Sequence, residues 1–304
     1  MPKTTNSKIR FVCPVCKVDF PEQTSPFGCK SCGRTFKDTA EGYKNFLVVD
    51  EFAGEDDPDR NILEENAQRV CMEGYLIPLL NRLFRDKRPE DVAVLDVGCG
   101  TGLSIDLLSA EGFEAWGADS GQRRNYWHKR SGRDRLVLAG GEALPFSDDS
   151  FDFIFCAGVI EHIGCEGDAR SPSPGYGEKR LAFIRECVRV TRQGGYLNFT
   201  CPNKHFPFDL FHRTNEYNPF RFHWPWDPFL LSTGDFKDFF IKKCGCSSMR
   251  ILPIKGYWSG TRLKKSTLGR IGLGCAQLWF NTMGSWPGFR ASFLNPWLSV
   301  LVRK

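Results

Sequence analysis

The feature that most limits the fold is the nonapeptide Val94-Leu-Asp-Val-Gly-Cys-Gly-Thr-Gly102. An apolar strand runs straight into three glycines at alternate positions, Gly98, Gly100 and Gly102. Glycine is needed where a backbone must turn tightly and a ligand must approach it closely. Asp119 stands at the end of the next apolar run, EAWGADS, 21 residues after Gly98. A carboxylate there can accept hydrogen bonds from both ribose hydroxyls of an adenosine. The dinucleotide pattern G-x-G-x-x-G would place its third glycine where Leu103 stands, so a sharp pyrophosphate site is disfavoured. The competing possibility is a tight turn with no ligand. The agreement of turn, acid and following segment argues against it.

The rest of the chain alternates helices and strands. From Asn61 to Arg85, the residues Ile62, Leu63, Val70, Leu76, Leu79, Leu80 and Leu83 fall at helical spacing. Pro78 interrupts them and predicts two helices or one kinked helix. VAVLDVG, EAWGADS, FDFIFCAGV and GYLNFTCPN read as strands. SIDLLSAEG reads as a helix ending at Gly112, and KRLAFIRECVRVTRQGG as one stopping at its glycine pair. STGDFKDFFIKKCG is a further helix, and MRILPIKGY and NPWLSVLVRK close the set. This alternation predicts an α/β fold, a doubly wound parallel sheet covered on both faces, with ligands at the carboxyl ends of its strands.

VLDVGCGTG, Asp119 in WGADS and GGEALPFSDDSFDFIFCAGVIEHI resemble the successive motifs of the class I methyltransferases. They most resemble the type 11-like subgroup that includes the ubiquinone and menaquinone methyltransferases. The resemblance covers about residues 91–200. It implies a Rossmann-like seven-stranded sheet, an enzyme, and S-adenosylmethionine as cofactor. It implies that Asp96 helps hold the cofactor's amino group and that Gly98, Gly100 and Gly102 face its methionine part. Asp119 would hold the ribose, and Glu142 and Ala143, with Leu144, would lie along the adenine. An apolar slot with a few backbone partners suits a neutral adenine.

Methyl transfer is an in-line displacement on a sulfonium, so the protein must mainly orient cofactor and acceptor. The resemblance places Glu161 and His162 beside the cofactor. His162 is the candidate base for an acceptor that must lose a proton, and the alternative is a histidine that packs the loop. Residues 205–229 hold nine aromatics, Phe206, Phe208, Phe211, Tyr217, Phe220, Phe222, Trp224, Trp226 and Phe229, interleaved with His205, His212 and His223 and four prolines. The segment reads equally as an acceptor wall for an apolar or ring-bearing substrate or as a packed surface loop. A metal site on its three histidines is poorly spaced.

Cys13-Pro-Val-Cys16 and Cys29-Lys-Ser-Cys32 are two C-x-x-C knuckles, twelve residues apart. Four thiolates at this spacing suit structural tetrahedral zinc, whose bonds replace a core that so short a segment cannot form. A redox dithiol would need one knuckle only. The module resembles the rubredoxin-like zinc ribbons that precede some methyltransferases, with Lys17 where a knuckle glycine often follows. The chain of 304 residues is thus divided into a ribbon at 1–46, a linker and helical lead-in at 47–90, and a catalytic domain at 91–304 with acceptor-side insertions at about 203–232 and 259–290.

The thirteen cysteines form no wider framework, and MPKTTNSKIRF has no secretory apolar stretch, so a reduced, cytoplasmic chain is expected. The net charge of +5 permits an acidic partner without requiring one. Residues 122–135 carry Arg123, Arg124, Lys129, Arg130, Arg133 and Arg135. They read as a solvated helix face in preference to a phosphate contact. Uncharged residues 271–289 follow Arg262, Lys264, Lys265 and Arg270, too glycine-rich to span a bilayer. Residues 262–290 suit a membrane surface or a lipid-like acceptor, or a lid packed on the core. The preferred acceptor is a small-molecule or lipid-linked metabolite. A zinc-ribbon enzyme acting on ribosomal RNA is the rival, and a non-catalytic cofactor-binding protein is the third reading.

Overall fold

The computed structural model describes residues 9–48, 58–121, 123–165, 172–209, 221–257, 267, 271, 272, 274, 275, 278, 279, 282 and 284–304. Most of the acidic linker at 50–60 lies outside the described residues. So do Phe211, His212, Tyr217, Phe220, Arg262, Lys264, Lys265, Arg270 and Phe280.

Strands β1 (Phe27–Gly28) and β2 (Thr35–Phe36) form the antiparallel hairpin of the cysteine module. β3 (Lys44–Asn45) leaves it. Helix α1 (Pro58–Cys71), a π-helical turn at Met72–Leu76 and α2 (Ile77–Leu83) make the lead-in, with Pro78 in the first turn of α2. Leu76 and Ile77 keep helical backbone angles, so the three run on as one helix, and the widened π turn immediately before Pro78 is where the ladder departs from the α pattern. β4 (Ala93–Val97), α3 (Leu103–Ala110), β5 (Glu114–Asp119), β6 (Leu136–Leu138), β7 (Phe151–Ala157), α4 (Tyr176–Val190) and β8 (Thr191–Pro202) follow. Next come β9 (Phe208–Asp209) and β10 (Arg221–Phe222), then α5 (Thr233–Lys237) continued by a π turn, and β11 (Ser248–Ile251) and β12 (Trp297–Arg303). A capping box between Ser232 and Asp235 starts α5.

The main sheet runs β11-β12-β8-β7-β4-β5-β6-β3. β3 through β8 in this sheet are parallel, and β12 is antiparallel to both β8 and β11. The Rossmann-like α/β sheet is thus as expected, with eight strands where seven were implied. The extra strand is β3, whose Lys44 and Asn45 pair with Val137 and Leu138. The chain order reverses between β4 and β7, which opens a crevice at their carboxyl ends.

Residues of β4 alternate between two cores. Ala93, Leu95 and Val97 face the side of α4, α5 and the cysteine module, and Val94 faces α1, α2 and α3. Burial on both faces explains the near-continuous apolar run. Phe11, Phe20, Phe27, Phe36 and Phe46 of the module join Trp116 and Phe146 in one core. Phe11 stacks on Phe46 at 5.2 Å and meets Phe146 at 5.7 Å. The module therefore completes its own small core with part of the sheet's.

Two local expectations change. The helix ends at Val190, ahead of Gly194 and Gly195, because the Thr191 hydroxyl donates to the Cys187 carbonyl at 2.7 Å and the chain turns directly into β8. The glycines instead sit where the β7–β8 register shifts. The basic stretch after residue 122 is two short 3₁₀ turns, Arg124–Lys129 and Arg133–Arg135, and not a helix face. Arg130 is turned inward, pairs with Glu65 of α1, and donates to the Thr101 carbonyl at 2.8 Å. No helix among the described residues is long and apolar enough to cross a membrane.

Candidate functional site

The glycine turn lies between β4 and α3, at the carboxyl end of the sheet. Gly98 has φ +84°, and a Cβ there would fall 2.3 Å from Val159 Cγ2, so no larger residue fits. The carbonyls of the turn are held from inside the protein. Trp127 Nε1 donates to Gly100 O at 2.8 Å, Arg130 to Thr101 O, and Gln68 of α1 to Cys99 O at 3.4 Å.

Asp119, at the tip of β5, accepts the Gly100 amide on Oδ2 and the Gly121 amide on Oδ1, both at 2.9 Å. Burial raises its pKa, and the amides of Gly121 and Gly100 and the charge of Arg123 oppose that rise. Each oxygen keeps a further lone pair for a hydroxyl donor. Asp96, in β4, is 2% exposed and accepts from Ser104 Oγ at 2.5 Å. Burial pushes its carboxyl up to about 7, against the Ser104 hydrogen bond. A buried acid, Asp96, and a half-buried one, Asp119, beside a backbone cradle form a set that fits a ligand carrying positive charge and a ribose, as S-adenosylmethionine does.

Glu142 and Ala143 follow β6 and are half-buried. With Leu47, Val48, Gly140, Lys179 and Ala182 they line a cavity of about 260 Å³. Glu161, after β7, is buried, and His162 is half-buried with its ring edge-on to Phe229 at 5.4 Å. The structure thus brings Asp96, Gly98, Gly100, Gly102 and Asp119 together, with Glu142, Ala143 and His162 on the neighbouring loops. The aromatic segment is less enclosed. Phe222, Trp224 and Trp226 are 74%, 67% and 73% exposed, and the two tryptophans stack at 5.1 Å, whereas His223 and Phe229 are buried.

Arg180 was not singled out in the sequence. It sits in α4, 3% exposed, and its guanidinium donates to four carbonyls: Glu161 at 2.7 Å, Ile163 at 3.2 Å, Pro228 at 2.8 Å and Phe229 at 2.8 Å. It pins the loop that carries His162 to the end of the aromatic segment. The sequence signal for it would have been an arginine one helical turn inside an apolar face, beside Leu181 and Ile184.

The sulfur ligand atoms of Cys13, Cys16, Cys29 and Cys32 all lie within 4.8 Å of one another, the only such group found among the described residues. Cys13–Cys32 and Cys16–Cys29 stand at 3.7 and 3.3 Å, near the roughly 3.8 Å edge of a zinc tetrahedron with 2.3 Å bonds. The two knuckles share one geometry: Lys17 N donates to Cys13 O at 2.8 Å and Gly33 N to Cys29 O at 2.9 Å. The backbone amide of Cys32 helps pull the Cys29 thiol down to about 6. The set fits zinc.

A model described as "Methyltransferase domain" matches residues 95–199, and one described as "Predicted AdoMet-dependent methyltransferase" matches residues 33–135. A ubiquinone biosynthesis O-methyltransferase of Aliivibrio fischeri is 24% identical over 143 residues, covering 45% of this chain and 53% of that protein. A tRNA (uracil-O(2)-)-methyltransferase of Neurospora crassa is 29% identical over 80 residues, covering 26% of this chain and 14% of that protein. The chain spans about half the length of the first of these relatives, and less of the second. A solved SAM-dependent methyltransferase from Archaeoglobus fulgidus is 19% identical with a TM-score of 0.45, covering 80% of this chain and 99% of that one. The glycine turn, the acid-tipped strands and the two family models identify a class I S-adenosylmethionine-dependent methyltransferase domain in this chain.

Proposed function

We propose that this chain transfers a methyl group from S-adenosylmethionine to a small-molecule or lipid-linked acceptor, with zinc held by Cys13, Cys16, Cys29 and Cys32. The carrying observation is Asp119 spanning the amides of Gly100 and Gly121, beside the buried Asp96. The cofactor supplies a methyl on a cationic sulfur. Asp119 holds the ribose hydroxyls with its remaining lone pairs, Asp96 faces the amino group, and Gly98, Gly100 and Gly102 let the methionine part approach the backbone. Glu142 and Ala143 flank the adenine. His162 is assigned the proton of a hydroxyl acceptor.

The acceptor assignment rests on what surrounds the site. Exposed Phe222, Trp224 and Trp226 offer flat apolar surface, which favours a ring-bearing or lipid-linked molecule. The basic stretch gives little support to RNA, since Arg130 is spent on Glu65 and the glycine turn. The test is S-adenosylhomocysteine formation with a prenylated phenol and with a ribosomal RNA transcript, at low and high salt. A Trp224→Ala/Trp226→Ala double variant is expected to lose turnover on the phenol and keep cofactor affinity. Activity on the transcript alone, falling steeply with salt and insensitive to the tryptophans, would overturn the small-molecule assignment.

Asp96 sets the pH dependence. Its folded pKa is raised, so between about 4 and about 7 the native state holds a proton that the unfolded chain has released. Its contribution to stability is therefore present below about 4 and lost as pH rises through 7. The cofactor's cationic amino group selects the ionised acid. Affinity for S-adenosylmethionine is expected to fall on going from pH 8 to pH 6, approaching about tenfold per unit at the acid end. Calorimetry giving a flat profile would exclude Asp96 from the cofactor contact.

A further inference from the structure

The cysteine module carries one residue that its own fold does not ask for. In the second knuckle the left-handed position is Gly33, with φ +72°. In the first it is Lys17, with φ +60°, a conformation that a side chain disfavours and glycine does not. The hydrogen bonds of the lysine side chain lie outside the knuckle. It leaves the module and reaches the sheet domain, where Nζ pairs with Glu186 at 2.6 Å and donates to the Leu144 carbonyl at 3.5 Å. Glu186 also holds Arg189, whose guanidinium donates to Leu144 O at 3.0 Å and Phe146 O at 2.7 Å. Lysine and arginine therefore clamp the chain immediately after Ala143.

The module grips the same segment along its backbone. Phe11 and Phe146 form an antiparallel bridge. Val12 N donates to Pro145 O at 2.9 Å, and Ser147 N to Arg10 O at 3.1 Å. On the module's exit, Leu47 and Val48 line the cavity that Glu142 and Ala143 line from the other side. A strained lysine, a three-residue backbone pairing and a shared cavity wall thus all bear on residues 142–147.

We propose that the cysteine module is a built-in part of the cofactor site, and that Lys17 is a positioning residue that fixes the Glu142–Phe146 segment for the adenine. The inference rests on the proposed cofactor site and adds to it which part of the chain holds its adenine end. The module's metal keeps the knuckle in shape, and the knuckle delivers Lys17 to Glu186 and Leu144. On this account, a strut of the sheet domain replaces an independently mobile recognition module.

The test uses the full chain and three variants: Lys17→Gly, Lys17→Met and Glu186→Gln. Zinc content, thermal midpoint and calorimetric affinity are measured for S-adenosylhomocysteine and for methylthioadenosine, which shares only the adenosine half. Lys17→Gly has the backbone preference of the second knuckle, so its zinc content is expected to match the parent, and its midpoint is expected to fall no further than that of Lys17→Met. Its affinity for both ligands is expected to fall by the same factor, about three- to tenfold, the range of one ordinary hydrogen bond. Lys17→Met and Glu186→Gln should move in the same direction. Parent affinity in Lys17→Gly with zinc intact would overturn the proposal, and so would a loss confined to variants that also lose zinc. A parent protein that binds neither ligand would instead overturn the cofactor site itself.

Discussion

Replacing Asp119 with alanine is expected to weaken S-adenosylmethionine binding by roughly 1–3 kcal/mol, the usual cost of leaving polar partners unpaired in a buried site. The geometry gives the effect two sources. The carboxylate bridges the Gly100 and Gly121 amides, so its loss frees two backbone donors as well as removing the ribose acceptor. Asp119→Asn separates them. An amide side chain has one acceptor oxygen, so it can serve one of the two backbone amides while turning a donor toward the other. The asparagine variant should therefore bind the cofactor less well than the parent and no better than alanine would if both amides matter equally. Because Gly100 lies inside the turn and Gly121 outside it, a local change at the turn should also appear as faster amide exchange at Gly100. Calorimetry showing parent affinity in Asp119→Ala would remove this residue from the cofactor site.

Why the geometry of the glycine turn and its acid was legible follows from its chemistry. A turn that admits no Cβ at Gly98 and a carboxylate at the end of the following strand are both local in sequence, and each residue type has few substitutes. The parallel order of the sheet was legible for a similar reason, since strands buried on both faces read as apolar runs. What was not legible depends on packing between distant segments. The eighth strand is only Lys44 and Asn45, which carry no strand signal and pair with β6 because the module docks there. The end of α4 was misplaced because Thr191 caps Cys187 three residues before the glycines that looked like a stop. Arg130 looked like one charge on a solvated face, and its partners, Glu65 and Thr101, come from elsewhere in the chain. Lys17 was visible as a departure from a knuckle glycine, but the partner that explains it, Glu186, is 169 residues away.

The second large effect concerns Arg180. Its guanidinium is buried and fills its donors with the carbonyls of Glu161, Ile163, Pro228 and Phe229. Arg180→Met keeps much of the apolar stem and removes every donor. Four carbonyls then lose a partner in a place water reaches poorly, and the expected destabilisation is about 3–5 kcal/mol, the range for breaking a buried charged network from one side. Chemical denaturation should show a lower midpoint with an unchanged slope. Arg180→Lys distinguishes charge from geometry. A lysine supplies the same charge from one nitrogen and cannot span carbonyls on two separate loops, so it should recover only part of the loss. The functional consequence differs from that of Asp119→Ala. Arg180 ties the His162 loop to the end of the aromatic segment, and the same loop carries Val159, which packs on Gly98. At a temperature where the variants remain folded, methyl transfer to the acceptor should therefore fall by a larger factor than cofactor affinity. If turnover and cofactor affinity fall by the same factor in Arg180→Lys, the loop acts only through the cofactor and the acceptor must be held elsewhere.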